Sequence, residues 1–82
     1  MDHDAIERRI RQVMAGVFAV EEEQIGSGTS IASVERWDSL NHVALIMALE
    51  QEFGLQIDVD DALEMTAYPI VCEKLGRYLK TK

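Results

Sequence analysis

Apolar residues recur at helical spacing in several stretches of the 82-residue chain. From Asp4 to Phe18, Ile6, Ile10, Val13, Met14 and Val17 fall at i, i+4, i+7, i+8 and i+11, while Glu7, Arg8, Arg11 and Gln12 turn away from them. This predicts a first amphipathic helix with one core face. Gly16 weakens its last turn by roughly 1 kcal/mol against Ala and offers an early end. Val20 to Ile25 predicts a short helical turn, after which periodicity is lost until Trp37. Loops longer than about 12–15 residues without structure are usually functional or disordered. The spaced apolar residues Ile25, Ile31, Val34 and Trp37 predict that this one is pinned across a helical body.

The second helix is the most informative stretch. Asp38 and Ser39 are both N-cap types, the run from Asn41 to Phe53 contains neither Gly nor Pro, and Gly54 is suited to close the last carbonyls. At about 100° per residue, Val43, Leu45, Ile46, Leu49 and Phe53 gather on one side as a core stripe. The opposite side is also apolar, with Leu40, Ala44, Met47 and Gln51 in one line and Ala48 beside it. A domain this small cannot wrap a helix on both sides, so the second strip is expected to face solvent, where a partner can cover it.

Beyond Gly54, Leu55-Gln56-Ile57 alternates too briefly for a strand and reads as a connector. Asp58 is an N-cap candidate for a short third helix from Val59 to about Met65, with Asp60, Asp61 and Glu64 suited to the positive end of its dipole. Pro69 sits at a plausible first position of a fourth helix that turns Val71, Leu75, Tyr78 and Leu79 inward. The expectation is an all-α, single-domain fold over residues 1–82. It is a four-helix bundle with a long loop between helices 1 and 2 and a short helix 3.

Charge sharpens this picture. The net charge is −7, yet from Trp37 to Glu73 there are eight acids and no Lys or Arg. Such a field disfavours nucleic acid and anionic membranes, whose protein contacts are made by Lys and Arg, and attracts basic protein surfaces. The first residues mix acids with three arginines, no window approaches a membrane span of about 18 apolar residues, and the single Cys72 lies in an apolar helical context. These features predict a cytoplasmic protein without a secretory leader.

Catalytic chemistry is sparse. Ser39 and His42 form an imaginable nucleophile–base pair on one helix, but no third residue orients the imidazole. His42 reads instead as a boundary side chain. The acids Asp58, Asp60, Asp61 and Glu64 lack the central Gly and distal Glu of a calcium loop, so no metal is expected. Ser39 has a more natural use: at an exposed helix N-terminus, backbone N–H groups and the helix dipole tolerate a phosphate ester on its oxygen.

At Asp38-Ser39-Leu40, and through the helix from Val43 to Gly54, the chain resembles the acyl carrier protein family, the four-helix carriers of fatty acid and polyketide synthesis. The likeness extends from Ile6 to Leu79, highly specific from Asp38 to Gly54 and loose elsewhere. It implies that a phosphopantetheinyl transferase attaches 4′-phosphopantetheine from coenzyme A to Ser39. The terminal thiol of that arm carries an acyl group as a thioester, so the protein would be a cosubstrate of enzymes rather than an enzyme. The resemblance also implies a docking face on helix 2, with Leu40, Ala44, Met47 and Ala48 as its apolar part. Asp38, Asn41, Glu50 and Gln51 would be its polar part, offered by a monomer to acyl-activating, acyltransferase or ketosynthase-type enzymes. Val43, Ile46, Leu63 and Met65 would shelter the acyl chain. Arg36-Trp37 stand where many carriers have Gly shortly before the serine, and Asn41 and Ala44 stand where fatty-acid carriers commonly have acids. The resemblance therefore points to a stand-alone carrier of a dedicated pathway. A non-carrying adaptor, binding basic partners through the acidic helix 2 face, is the alternative reading.

Overall fold

A computed structural model of the protein describes residues 3–80. Helix α1 spans His3–Phe18, a 3-10 turn covers Glu22–Gln24, and helices α2, α3 and α4 span Ser39–Phe53, Val59–Glu64 and Tyr68–Lys80. No strand forms among the described residues; the one sheet-like feature is an isolated bridge between Ser30 and Ala67. The expected all-α architecture, long first loop and short third helix are those of the molecule.

Gly54 ends α2 as its sequence signal predicts, whereas α4 begins at Tyr68, one residue ahead of Pro69. Gly54 adopts φ 63° and its N–H donates to the Glu50 carbonyl, which also accepts from Leu55 N–H at 3.1 Å. This left-handed closure of α2 is the one that a residue without Cβ makes at little cost. Helix α1 runs past Gly16 and closes in the same manner on Ala19, at φ 56°, with Val20 N–H donating to the Ala15 carbonyl at 3.1 Å. Gly16 therefore does not end the helix; a strained alanine does.

α1 packs on α2 and α4 around Ile10, Met14, Phe18, Leu45, Leu49, Met65, Val71 and Leu75, all essentially inaccessible to water. The long loop lies across this core and is pinned to it. Ile25 and Trp37 are buried and Val34 is half-buried, whereas Ile31, read from the sequence as a fourth anchor, is 43% exposed. Its place is taken by the backbone. Ile31 N–H donates to the Thr66 carbonyl at 2.8 Å, and Tyr68 N–H donates to the Thr29 carbonyl at 2.9 Å, so the loop pairs with the link between α3 and α4. Thr29 is buried and satisfied within the loop, its hydroxyl donating to the Gln24 carbonyl and accepting from Gly26 N–H.

Candidate functional site

The corner at the start of α2 is built by local bonds. Asp38 stands at the N-cap in extended conformation, and its Oδ1 accepts from Asn41 N–H at 2.9 Å, satisfying one of the unpaired donors of the first turn. Ser39 is then the first helical residue, and its side chain lies at the surface. The preceding residues are fastened to the same turn. Asn41 Nδ2 donates to the Arg36 carbonyl at 2.7 Å. The Trp37 indole Nε1–H donates to His42 Nδ1 at 3.0 Å.

His42 is more than a boundary residue. Because Nδ1 accepts from the indole, the ring proton resides on Nε2, which donates to the Ala62 carbonyl in α3 at 2.7 Å. One imidazole thus joins the long loop, α2 and α3, with the Trp37 ring lying nearly parallel to it at 6.3 Å and Phe18 packed on Trp37 at 5.0 Å. With both nitrogens committed, the ring offers Ser39 no free base, and the nucleophile–base pairing loses its second member. The spacing of an indole and an imidazole across an N-cap was the only trace of this bridge in the sequence.

The two faces of α2 are only partly as expected. Leu40 and Met47 are exposed, at 79% and 56%, and Ala44 and Gln51 lie beside them at the surface. Ala48 is half-buried, lining with Gln51 a shallow groove against Val13 and Gly16 of α1. Val43, assigned to the core stripe and the acyl shelter, is 56% exposed. Six residues from Leu49 amount to about 120° round the helix, so Val43 falls on a flank of α2 rather than under the core. Glu50 is not a free docking carboxylate: its Oε2 accepts from Ile57 N–H at 2.8 Å and holds the α2–α3 connector. Asn41 is likewise engaged with the loop carbonyl already described.

α3 is attached by polar groups. Lys74 of α4 pairs with Asp61 at 3.0 Å and Glu64 at 2.7 Å. The Tyr78 hydroxyl donates to Asp61 Oδ2 at 2.5 Å and accepts from Asp58 N–H at 2.9 Å. Asp58 occupies the N-cap position, but its side chain makes no capping bond. The hydrogen bonds from Tyr78 and then Lys74 hold the Asp61 carboxyl below its ordinary value, while Glu64 and Asp61 raise the Lys74 ammonium. With Asp61 and Ala62 turned toward the body, Val59 and Leu63, one helical turn apart, face outward and are 74% and 69% exposed. Leu63 is therefore not a core residue of the shelter. Met65 is fully buried and Ile46 half-buried.

A phosphate ester fits this corner. Ser39 is accessible, it begins a helix of 15 residues, and no hydrogen bond among the described residues occupies its hydroxyl. A family model described as the phosphopantetheine attachment site matches residues 8–67, about three-quarters of the chain and including this corner. The chain belongs to the phosphopantetheine attachment-site family. Among solved structures, it is similar to an acyl carrier protein from Enterococcus faecalis, at 20% identity and a TM-score of 0.70, covering 89% of this chain and 92% of that one. The fold is accordingly that of acyl carrier proteins, and the family's cofactor is phosphopantetheine. Within this family the domain is a carrier rather than a catalyst. No helix among the described residues is long and apolar enough to cross a membrane.

Proposed function

We propose that the protein is a stand-alone acyl carrier whose 4′-phosphopantetheine arm is attached to Ser39 by a phosphopantetheinyl transferase. The observation that carries this reading is the placement of Ser39 as an exposed first residue of α2, capped by Asp38 and surrounded by a fixed corner, within the matched family stretch. When bound, the arm supplies a thiol on which an acyl group is held as a thioester; the protein supplies presentation. The exposed residues Leu40, Ala44 and Met47, with Asp38, Gln51 and the acids of α3, form the surface offered to acyl-activating, acyltransferase or ketosynthase-type enzymes. Ala48 lies at its edge. Asn41 and Glu50 contribute by shaping that surface through their internal bonds. An acyl chain sheltered by this fold would enter between α2 and α3, with Val43 and Leu63 at the mouth and Ile46 and Met65 deeper.

The acidic field between Trp37 and Glu73 favours partners with basic docking faces and a monomeric carrier. Fatty acid, polyketide and other dedicated pathways are compatible with it. The test is the intact mass of wild type and Ser39→Ala before and after incubation with coenzyme A and a broad-specificity transferase. Gain of one phosphopantetheine by the wild type alone is expected. No gain by a folded, unmodified wild type would refute the carrier reading and favour an adaptor that binds through the same acidic face.

A further inference from the structure

Arg36 is the only Lys or Arg between Arg11 and Lys74, and it stands three residues ahead of Ser39. Its main chain is fixed to the start of α2, because its carbonyl accepts from Asn41 Nδ2 at 2.7 Å and the adjoining Trp37 indole is held by His42. Its side chain is exposed and makes no ion pair among the described residues, although Glu23 and Glu35 line the same open groove. The other charges next to Ser39 are negative. Asp38 precedes it directly, and its carboxylate already takes the N–H of the third residue of the helix. A phosphodiester on Ser39 would therefore place two anions on consecutive residues, with part of the helix N-terminus already used. A guanidinium on a long side chain is the one local group that answers this repulsion, and its planar donors match phosphate oxygens.

We propose that Arg36 pairs with the phosphodiester at the root of the arm on Ser39, holding the arm against the corner from which it is presented. This rests on Ser39 being the attachment site. The bonds from Asn41 and His42 acquire a purpose in this arrangement: they keep the Arg36 backbone beside the first turn, so that pairing orders only the side chain.

The experiment uses wild type, Arg36→Gln and Arg36→Lys in apo and transferase-loaded forms, with intact mass first establishing that each has gained the arm. In the wild type, the NMR signal of the Arg36 Nε–Hε group is expected to shift when the arm is attached. At low salt, the melting temperature of the loaded form relative to the apo form should fall by about 2–5 °C in Arg36→Gln. Arg36→Lys, which keeps the charge but not the planar fork, should restore part of it. The difference should close near 1 M salt, where the screening length is about 3 Å. An Arg36 signal identical in both forms, with the loaded-minus-apo difference unchanged in Arg36→Gln, overturns the proposal while leaving the carrier reading intact. Absence of any mass gain in the wild type removes the carrier reading and this proposal with it.

Discussion

Replacing His42 by Ala tests whether one imidazole holds the corner together. Trp37 is 2% exposed, so its indole N–H would lose its acceptor where water scarcely reaches. An unsatisfied buried donor costs about 1–3 kcal/mol. The two rings meet edge to edge through this bond, so no separate stacking energy is lost with it. The Ala62 carbonyl lies in a half-buried residue and can turn to water, so its loss adds little. The expected destabilisation is about 1–3 kcal/mol, a large part of the ~4–12 kcal/mol that a domain of this length possesses. It corresponds to a melting point lower by about 5–20 °C. Urea unfolding followed by the fluorescence of Trp37, the single tryptophan, gives the free energy directly. His42→Gln, whose amide offers both an acceptor and a donor, should recover part of the loss. A double-mutant cycle with Trp37→Phe, followed by far-ultraviolet circular dichroism because that variant lacks the tryptophan, should show coupling of about 1 kcal/mol or more. A His42→Ala protein within about 0.5 kcal/mol of wild type, with an unchanged Trp37 indole N–H resonance, would refute the bridging role.

Two further predictions concern the ends of α1 and the hold on α3. Ala19→Gly relieves a left-handed backbone conformation at the end of α1 and should raise stability by about 0.5–1 kcal/mol in thermal unfolding, despite the added chain entropy of Gly; a neutral or destabilising result would contradict the strain. Asp61 is depressed in the folded protein, first by Tyr78 and then by Lys74, so its contribution is present above the ordinary value of 3.8 and is lost as pH falls through the lower folded value. Hydrogen exchange should accordingly report loosening of α3 at strongly acid pH, diminished in Asp61→Asn. Equal acid sensitivity in that variant would place the effect elsewhere.

Helices α1 and α2 were readable because their signals are strong and agree: a regular apolar stripe in the first, and Asp38 and Gly54 bracketing an uninterrupted run in the second. The attachment corner was readable for the same reason, since N-cap chemistry is local. What resisted reading depends on partners distant in sequence. Val43 looked like core because α2 is apolar nearly all round, and only the direction of α1 and α4 decides which arc is covered. Leu63 was misplaced because α3 inverts the usual rule, turning acids toward Lys74 and Tyr78 and aliphatics toward water. Ile31 failed as an anchor because backbone pairing with Thr66 had already fixed the loop. His42 carried no periodic signal at all; its role exists only once Trp37 and Ala62 are brought to it.

The pairing of the loop at Thr29 and Ile31 with Thr66 and Tyr68 has a consequence for the order of folding. The corner before Ser39 is closed by bonds within five residues, as helix growth is, whereas the seating of the long loop depends on chain segments from opposite halves of the sequence. Closing such a separation is entropically costly and slow relative to helix growth. On a ribosome, the corner could therefore close as soon as α2 emerged, while the loop leading into it would wait for the segment that enters α4. Local order at Ser39 and its final anchoring to the body are thus separate events in time.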